Sequence, residues 1–284
     1  MKKTHIEALE KINPNLKLVK RFSGGMSNFT YLVEDPNSNE QFVFRFPGNG
    51  AYNFVNYQDE HSALKEAYKL GLTSETVHFD VETGIKLAKY VEGNNLVEAG
   101  IDYKLAHDYL KKFHSSNFKK LKDYDHLGRL NSYEKLHSNQ NGNYLELKQY
   151  FIELFESTLK QYATKPCHND SQLANFIISE DKQIFLVDYE YAAVNDPIYD
   201  IACFGNVDLS NALDLLSEFD FDDREDPLVR LYGWRMFQCL QWYNVASYKH
   251  DIGLGEALNL DFHAISKKYI TLATTLRSLI ENVE

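Results

Sequence analysis

The chain is 284 residues long, 44% hydrophobic and 25% charged, which excludes long disorder and suits one large domain or two modest lobes. Its 41 acidic and 30 basic residues leave a net charge of −11, and no stretch gathers enough Lys and Arg to neutralise many phosphates, so no nucleic-acid partner is expected. Cys167, Cys203 and Cys239 are widely spaced and form no C-x-x-C pair, so they read as reduced core thiols rather than a disulfide framework or a zinc site.

The first residues, Met1 to Glu7, are mixed and polar, without the apolar core of a secretory signal. No window approaches the about 18 apolar residues of a membrane span. The expectation is a cytoplasmic protein with no membrane insertion. Leu16-Lys17-Leu18-Val19, Phe29-Thr30-Tyr31-Leu32-Val33 and Phe42-Val43-Phe44-Arg45-Phe46 then read as strands, rich in alternating, β-branched and aromatic residues. Asp35-Pro36-Asn37-Ser38-Asn39 supplies turn residues between the last two and makes them a hairpin. Ala63, Leu64, Ala67 and Leu70 recur at helical spacing, with Gly71 where a left-handed cap is expected. Val77-His78-Phe79 and Ile85-Lys86-Leu87-Ala88 are further strands joined through Thr83-Gly84, and Tyr90-Val91-Glu92-Gly93 leads out of the sheet. The expected division is therefore 1–92 and 93–284.

Beyond that point helical spacing dominates. Leu105, Ala106, Tyr109, Leu110 and Phe113 mark one helix, and Leu147, Tyr150, Phe151, Leu154, Phe155 and Leu159 another. Phe176-Ile177-Ile178 and Ile184-Phe185-Leu186-Val187 interrupt them as a short β hairpin, and Asp226-Pro227 opens a long aromatic helix towards Tyr248. No internal repeat or low-complexity tract is present.

Chemistry concentrates in His168-Asn169-Asp170-Ser171-Gln172-Leu173-Ala174-Asn175 and in Asp188-Tyr189-Glu190 after an apolar strand. Phosphoryl transfer from ATP needs a carboxylate to orient or deprotonate a hydroxyl and hard oxygen ligands to hold Mg²⁺ against the phosphates. Asp170, Asn175 and Asp188 suit those roles. H-x-D-x-x-x-x-N alone is a weak pattern, since a polar loop making only turn hydrogen bonds would match it too. The spacing to Asp188, the strand before it and the β-rich segment upstream are independent demands met together.

On Ser23-Gly24-Gly25-Met26-Ser27-Asn28, Phe44-Arg45-Phe46-Pro47-Gly48, the His168 to Asn175 loop, Val187-Asp188-Tyr189-Glu190-Tyr191 and Asn195-Asp196-Pro197-Ile198-Tyr199-Asp200-Ile201-Ala202, the chain resembles the choline kinase and aminoglycoside phosphotransferase superfamily. Gln172 and the Glu190-Tyr191 pair make it most similar to the choline and ethanolamine kinase branch, including bacterial choline kinases of the licA type. The resemblance implies an α+β, protein-kinase-like bilobal fold, with a small antiparallel sheet binding the nucleotide in 1–92 and a larger, mainly α lobe for catalysis and acceptor binding in 93–284. It implies Asp170 as base, Gln172 beside the transferred phosphate, Asn175 and Asp188 as Mg²⁺ ligands, and Asp200 as a buried brace. Gly24, Gly25, Ser27 and Asn28 would cover the ATP phosphates, although the loop lacks G-x-G-x-x-G and Gly24-Gly25 alone also reads as a hairpin turn. Arg45 would bind phosphate, Glu60 would hold Arg45, and Tyr90 and Val91 would offer backbone groups to adenine.

A quaternary ammonium is best held by aromatic faces backed by a carboxylate. Tyr232, Trp234, Phe237, Trp242 and Tyr243 fall where choline kinases keep a tryptophan-rich wall, but the same spacing also describes a core face. Glu190 and Asp208 are candidates for the acidic side. The Glu that choline kinases usually carry beyond D-x-A is absent: the count lands near Asn206-Val207, with Asp208 next. The expected function is an ATP- and Mg²⁺-dependent kinase for the hydroxyl of choline, acting as a monomer or homodimer. Ethanolamine, thiamine or an aminoglycoside as acceptor, and a catalytically silent binding module, remain the alternatives.

Overall fold

The structure is a computed structural model that describes residues 1–22, 27–138 and 142–283. Strands β1 (Lys17–Arg21), β2 (Asn28–Asp35), β3 (Glu40–Pro47), β4 (Thr76–Phe79) and β5 (Lys86–Lys89) form one sheet in the order β1-β2-β3-β5-β4, and every pairing is antiparallel. The hairpin between β2 and β3 closes as its sequence demands: Asp35 accepts the Asn37 N–H at 2.9 Å, and Asn39 takes a left-handed φ of 59°. Alternation and register put Phe29, Tyr31, Val33, Phe42, Phe44 and Phe46 on one face. There His5 of helix α1 (Lys3–Ile12) stacks on Phe46 at 4.0 Å and hydrogen-bonds Tyr31 at 2.8 Å. Thr30, Arg45 and Lys86 form a row on the other face, reached by Glu60 of helix α2 (Tyr57–Lys69).

The remaining strands are short. They are β6 (Gly93–Asn95), β7 (Lys165–Cys167), β8 (Phe176–Ser179), β9 (Ile184–Leu186) and β10 (Ala193–Asn195). A three-stranded sheet runs β6-β8-β9, while β10 pairs with β7. The hairpin of β8 and β9, expected within the helical part, thus joins a strand from the first hundred residues. The chain accordingly folds as two compact units: Met1–Gly100 with Phe118–Leu121 and Ala174–Ala192, and Ile101–Asn117 with Lys122–Leu173 and Ala193–Glu284. The single boundary expected at 92/93 falls inside the first unit, because β6 needs β8 as its neighbour.

The second unit is helical. It contains α4 (Tyr103–His114), α5 (His126–Glu134), α6 (Gly142–Ser157), α7 (Pro197–Phe204), α8 (Leu209–Ser217), α9 (Pro227–Asp251), α10 (Gly255–Leu258) and α11 (Phe262–Val283), whereas α3 (Leu96–Ala99) belongs to the first unit. Helix α9 packs against α5, α6, α7 and α11, and nearly every side chain from Val229 to Ser247 is buried. A helix enclosed on all sides carries no single apolar stripe. Its polar residues must therefore find partners inside. Arg230 does so with Asp196, which also caps α7 by accepting the Ile198 N–H at 2.9 Å. Cys167, Cys203 and Cys239 are buried and free, as their spacing suggests.

Candidate active site

In the first unit the site is built around Arg45. Strand alternation turns its guanidinium to the face where α2 begins, and Asn56 starts that helix by accepting the N–H groups of Gln58 and Asp59. Glu60 lies one turn further on. Arg45 donates to both Glu60 oxygens at 2.7 Å, to Asp188 at 3.1 Å and to the Gly84 carbonyl at 3.2 Å. It lies 3.6 Å from Glu190, which also accepts from Asn28 at 3.3 Å. Lys86, directly across the ladder from Arg45, donates to Glu60 at 3.1 Å. Two opposed cations are reconciled by one carboxylate placed between them.

Burial opposes the charges in this cluster, but the pairing decides most of them. Desolvation alone would weaken Arg45, yet Glu60, Asp188 and Glu190 raise its pKa above the ordinary guanidinium value. Glu60 is held below the usual carboxylate range because Arg45 and Lys86 outweigh its burial. Glu190 goes the other way: burial and the neighbouring Asp188 push it up to about 8, against the pull of Arg45.

Register in the small sheet sets a second pair. Phe176 opposes Leu186, and beyond it the Asn175 carbonyl accepts the Val187 N–H at 3.0 Å. Asn175 and Asp188 therefore leave adjacent strands at the same end of one hairpin. Asp188 does so with a left-handed φ of 69°, a conformation Asp tolerates better than most residues, and its side chain is 32% exposed. A carboxylate and an amide carbonyl so placed are hard oxygen donors of the kind that suits Mg²⁺. Ser27 is anchored by its carbonyl, which accepts from Gly48 at 2.8 Å, where an added Cβ would come within 2.5 Å of that oxygen. Tyr90 donates its N–H to the Gln41 carbonyl at 3.0 Å, and Val91 follows half-buried. Gly24 and Gly25 lie outside the described residues.

The second unit holds the loop that follows β7. Asp200, in the first turn of α7, accepts the backbone N–H groups of His168 at 3.0 Å and Asn169 at 2.7 Å and the Ser171 hydroxyl at 3.1 Å. His114 reaches the same carboxylate at 2.8 Å. Although burial would raise its pKa, these donors and the His114 charge lower it. His114, Cys167 and Asp200 lie close enough to suggest a metal cluster. Here both Asp200 oxygens already accept hydrogen bonds, and burial drives the Cys167 thiol well above its usual range. With those bonds Asp200 ties the loop to α7 and α4, the bracing part that the resemblance implied for it. Asn169 takes a φ of 62°, and the loop turns to present Asp170, whose two oxygens each accept from Gln172 at 3.3 Å.

The acceptor candidates are distributed differently from the sequence expectation. Asp208 is exposed and caps α8 through the Ser210 N–H at 3.0 Å, which lowers its pKa. Asn206, two residues earlier, is the side chain that meets Gln172, at 2.9 Å. Trp234 is 2% exposed, donates to Asp196 at 2.8 Å and stacks on His126 at 4.6 Å. Tyr232, Phe237 and Tyr243 are also buried, Tyr243 stacking on Tyr144 at 4.9 Å, while Trp242 is half-buried. Enclosure of α9 explains this: an internal helix spends its rings on packing. Arg235 and Gln238 were not singled out from the sequence, and the polar residues interrupting an aromatic helix are the signal that could have marked them; Asn206, in the turn after α7, stands where the count for the missing Glu lands, but no role was assigned to it.

The chain belongs to the phosphotransferase enzyme family, whose profile matches residues 18–235. It is 30% identical over 191 residues to protein LicA of Haemophilus influenzae, a match covering 63% of this chain and 55% of that protein. The chain thus spans about half the length of that curated relative. Among solved structures it is similar to choline kinase LicA from Streptococcus pneumoniae, with a TM-score of 0.79, 25% identity and coverage of 96% and 99% of the two chains. The fold is shared with a choline/ethanolamine kinase family protein from Mesorhizobium loti at a TM-score of 0.73 and 18% identity, covering 96% of this chain and 92% of that one. The fold is thus kinase-like and α+β, as the resemblance implied. Among the described residues, no helix is long and apolar enough to cross a membrane.

Proposed function

We propose that the protein transfers the γ-phosphoryl group of ATP to the hydroxyl of a small-molecule alcohol, with choline, the substrate named for the similar LicA structure, as the acceptor. The observation that carries the reading is Arg45, held by both oxygens of Glu60 and reaching Asp188: a fixed, planar cation beside a carboxylate suited to metal is the arrangement that phosphate oxygens require. In this reading Arg45, Ser27 and Asn28 contact the phosphates, with Gly24 and Gly25 completing the loop, and Tyr90 and Val91 border the adenine. Asn175 and Asp188 would hold Mg²⁺, which when bound neutralises charge on the phosphates. Asp170 accepts the proton of the acceptor hydroxyl as its oxygen bonds to phosphorus, the bond to the ADP oxygen breaks, and Gln172 lies beside the transferred group. The Asp200 brace fixes the loop beforehand, so that positioning supplies much of the rate.

A second reading within the same chemistry, an acceptor other than choline, is favoured by Trp234 bonded inside the core and Asp208 engaged as a helix cap. Glu190, Tyr232, Phe237, Trp242 and Tyr243 stay candidates for the acceptor side under the first. The test is an ADP-release assay with choline, ethanolamine, thiamine and an aminoglycoside, on the parent and on Asp170→Asn. Transfer to one acceptor, lost by about 10³-fold or more in the variant while its melting temperature holds, supports the reading. Equal turnover in the variant rejects it.

A further inference from the structure

Arg235 is 1% exposed, and among the described residues no carboxylate pairs with it. Its Nη1 donates to Gln238 Oε1 at 3.0 Å, and its Nη2 donates to Asn206 Oδ1 at 3.1 Å. Its Nε has no hydrogen-bond partner. A buried guanidinium without an acid is costly, and here it is stabilised by side-chain amide oxygens instead.

Because a guanidinium can only donate, the direction of everything beyond it is determined. Asn206 must turn its oxygen to Arg235, which leaves its NH₂ group to donate to Gln172 Oε1 at 2.9 Å. Gln172 must then turn its own NH₂ group to Asp170, donating to both carboxylate oxygens at 3.3 Å. Gln238 obeys the same logic, since its oxygen faces Arg235 and its NH₂ group donates to the Tyr199 carbonyl at 3.1 Å. Asp170 alone already favours the NH₂ end of that amide, but an unanchored amide could still reverse at the cost of setting its oxygen against the carboxylate. Anchored to a cation at the far end, this one cannot.

We propose that Asn206 and Arg235 are positioning residues that lock the Gln172 amide with its donors towards Asp170, keeping that carboxylate oriented for its task. For its effect on turnover the proposal rests on the kinase reading, but the lock itself is a property of the folded chain. Such a chain of donors also polarises each link in the same sense.

The informative variant is Asn206→Asp. It keeps size and gives Arg235 an acid partner, so the fold should melt at or above the parent temperature. It also removes the donor to Gln172 and invites that amide to reverse. We expect kcat to fall on the order of tenfold to a hundredfold with KM for ATP within about twofold of the parent. In a Gln172→Ala background the same substitution should cause no further loss, since its effect passes through Gln172. Arg235→Lys, which keeps the charge but cannot serve Asn206 and Gln238 together, should lower kcat less than Asn206→Asp. A purely structural role predicts the reverse pattern, with lost melting temperature and unchanged kcat. Parent-like turnover in Asn206→Asp, or a full loss repeated in the Gln172→Ala background, would overturn the proposal. If the parent transfers phosphate to no acceptor, the kinase reading has failed, and a melting cycle of Asn206→Ala and Gln172→Ala still judges the lock. Shifts that fail to add uphold it, and shifts that add within about 1 °C overturn it.

Discussion

Glu60 answers for two cations, Arg45 and Lys86, and that asymmetry makes their substitutions unequal. Removing Lys86 leaves the two-pronged Arg45 pair intact, whereas removing the carboxylate leaves two buried positive charges facing each other across the ladder. Glu60→Gln is expected to cost about 3–5 kcal/mol and Lys86→Met less than half as much, measured by urea denaturation. The Arg45 pair with Glu60 was an expectation carried by the family resemblance, and strand alternation with the helix that follows is what brings the two side chains together. Lys86 was not expected there, since its part depends on the register of β5 against β3. The link from Arg235 through Asn206 to Gln172 escaped for a similar reason: 29 residues separate Arg235 from Asn206 and 34 separate Asn206 from Gln172, and only tertiary packing brings them together.

The small sheet shows what holds at the scale of elements. Strand β6 is Gly93–Asn95, three residues with poor β propensity, so it could not be read as a strand, and the β8 and β9 hairpin lost its visible partner. Its first residue is glycine for a steric reason: a Cβ there would lie 2.1 Å from the Ile178 carbonyl oxygen and 2.9 Å from the Ser179 Cα. Gly93→Ala should push β6 away from β8 and lower stability by about 1–3 kcal/mol, with faster hydrogen exchange at the amides of β8 as the local sign. Strands β2 to β5 and helices α2, α4, α6 and α9 emerge from their periodicity and turn residues near the expected positions. Helix α11 goes unmarked in the sequence reading although Phe262, Ser266, Ile270, Ala273, Leu276 and Ile280, the residues it buries, keep helical spacing. Polar and small residues among them blunt the stripe.

Across the whole molecule, buried imidazoles are one part of the response to acid. Burial pushes His126 down to about 4, and burial together with Lys2 does the same for His5. In the unfolded chain both titrate near 6.5, so between those values the unfolded state binds more protons and stability rises with pH. Their contribution is complete above pH of about 6.5 and is lost as pH falls towards 4, His126 accounting for on the order of 2–3 kcal/mol. Glu190, pushed up to about 8, acts in the opposite sense over the same range, so the imidazole part is read by difference: melting temperature should fall more steeply from pH 7 to pH 4.5 in the parent than in His126→Gln. A slope unaltered by that change would place the acid sensitivity elsewhere. At this scale the division into units depends on pairings between residues far apart in the chain. A single cut after residue 92 follows composition, but the chain returns to the first unit at Ala174–Ala192, leaving Asp170 in one unit and Asn175 and Asp188 in the other.

The backbone at Asp188 carries a cost that the rest of the molecule tolerates. Glycine would occupy that left-handed turn without strain, and the relief would offset the ion pair lost with the side chain. A laboratory screen that rewards heat endurance alone should thus accept Asp188→Gly, returning a hardy protein with a melting temperature near that of its parent and no detectable phosphate transfer.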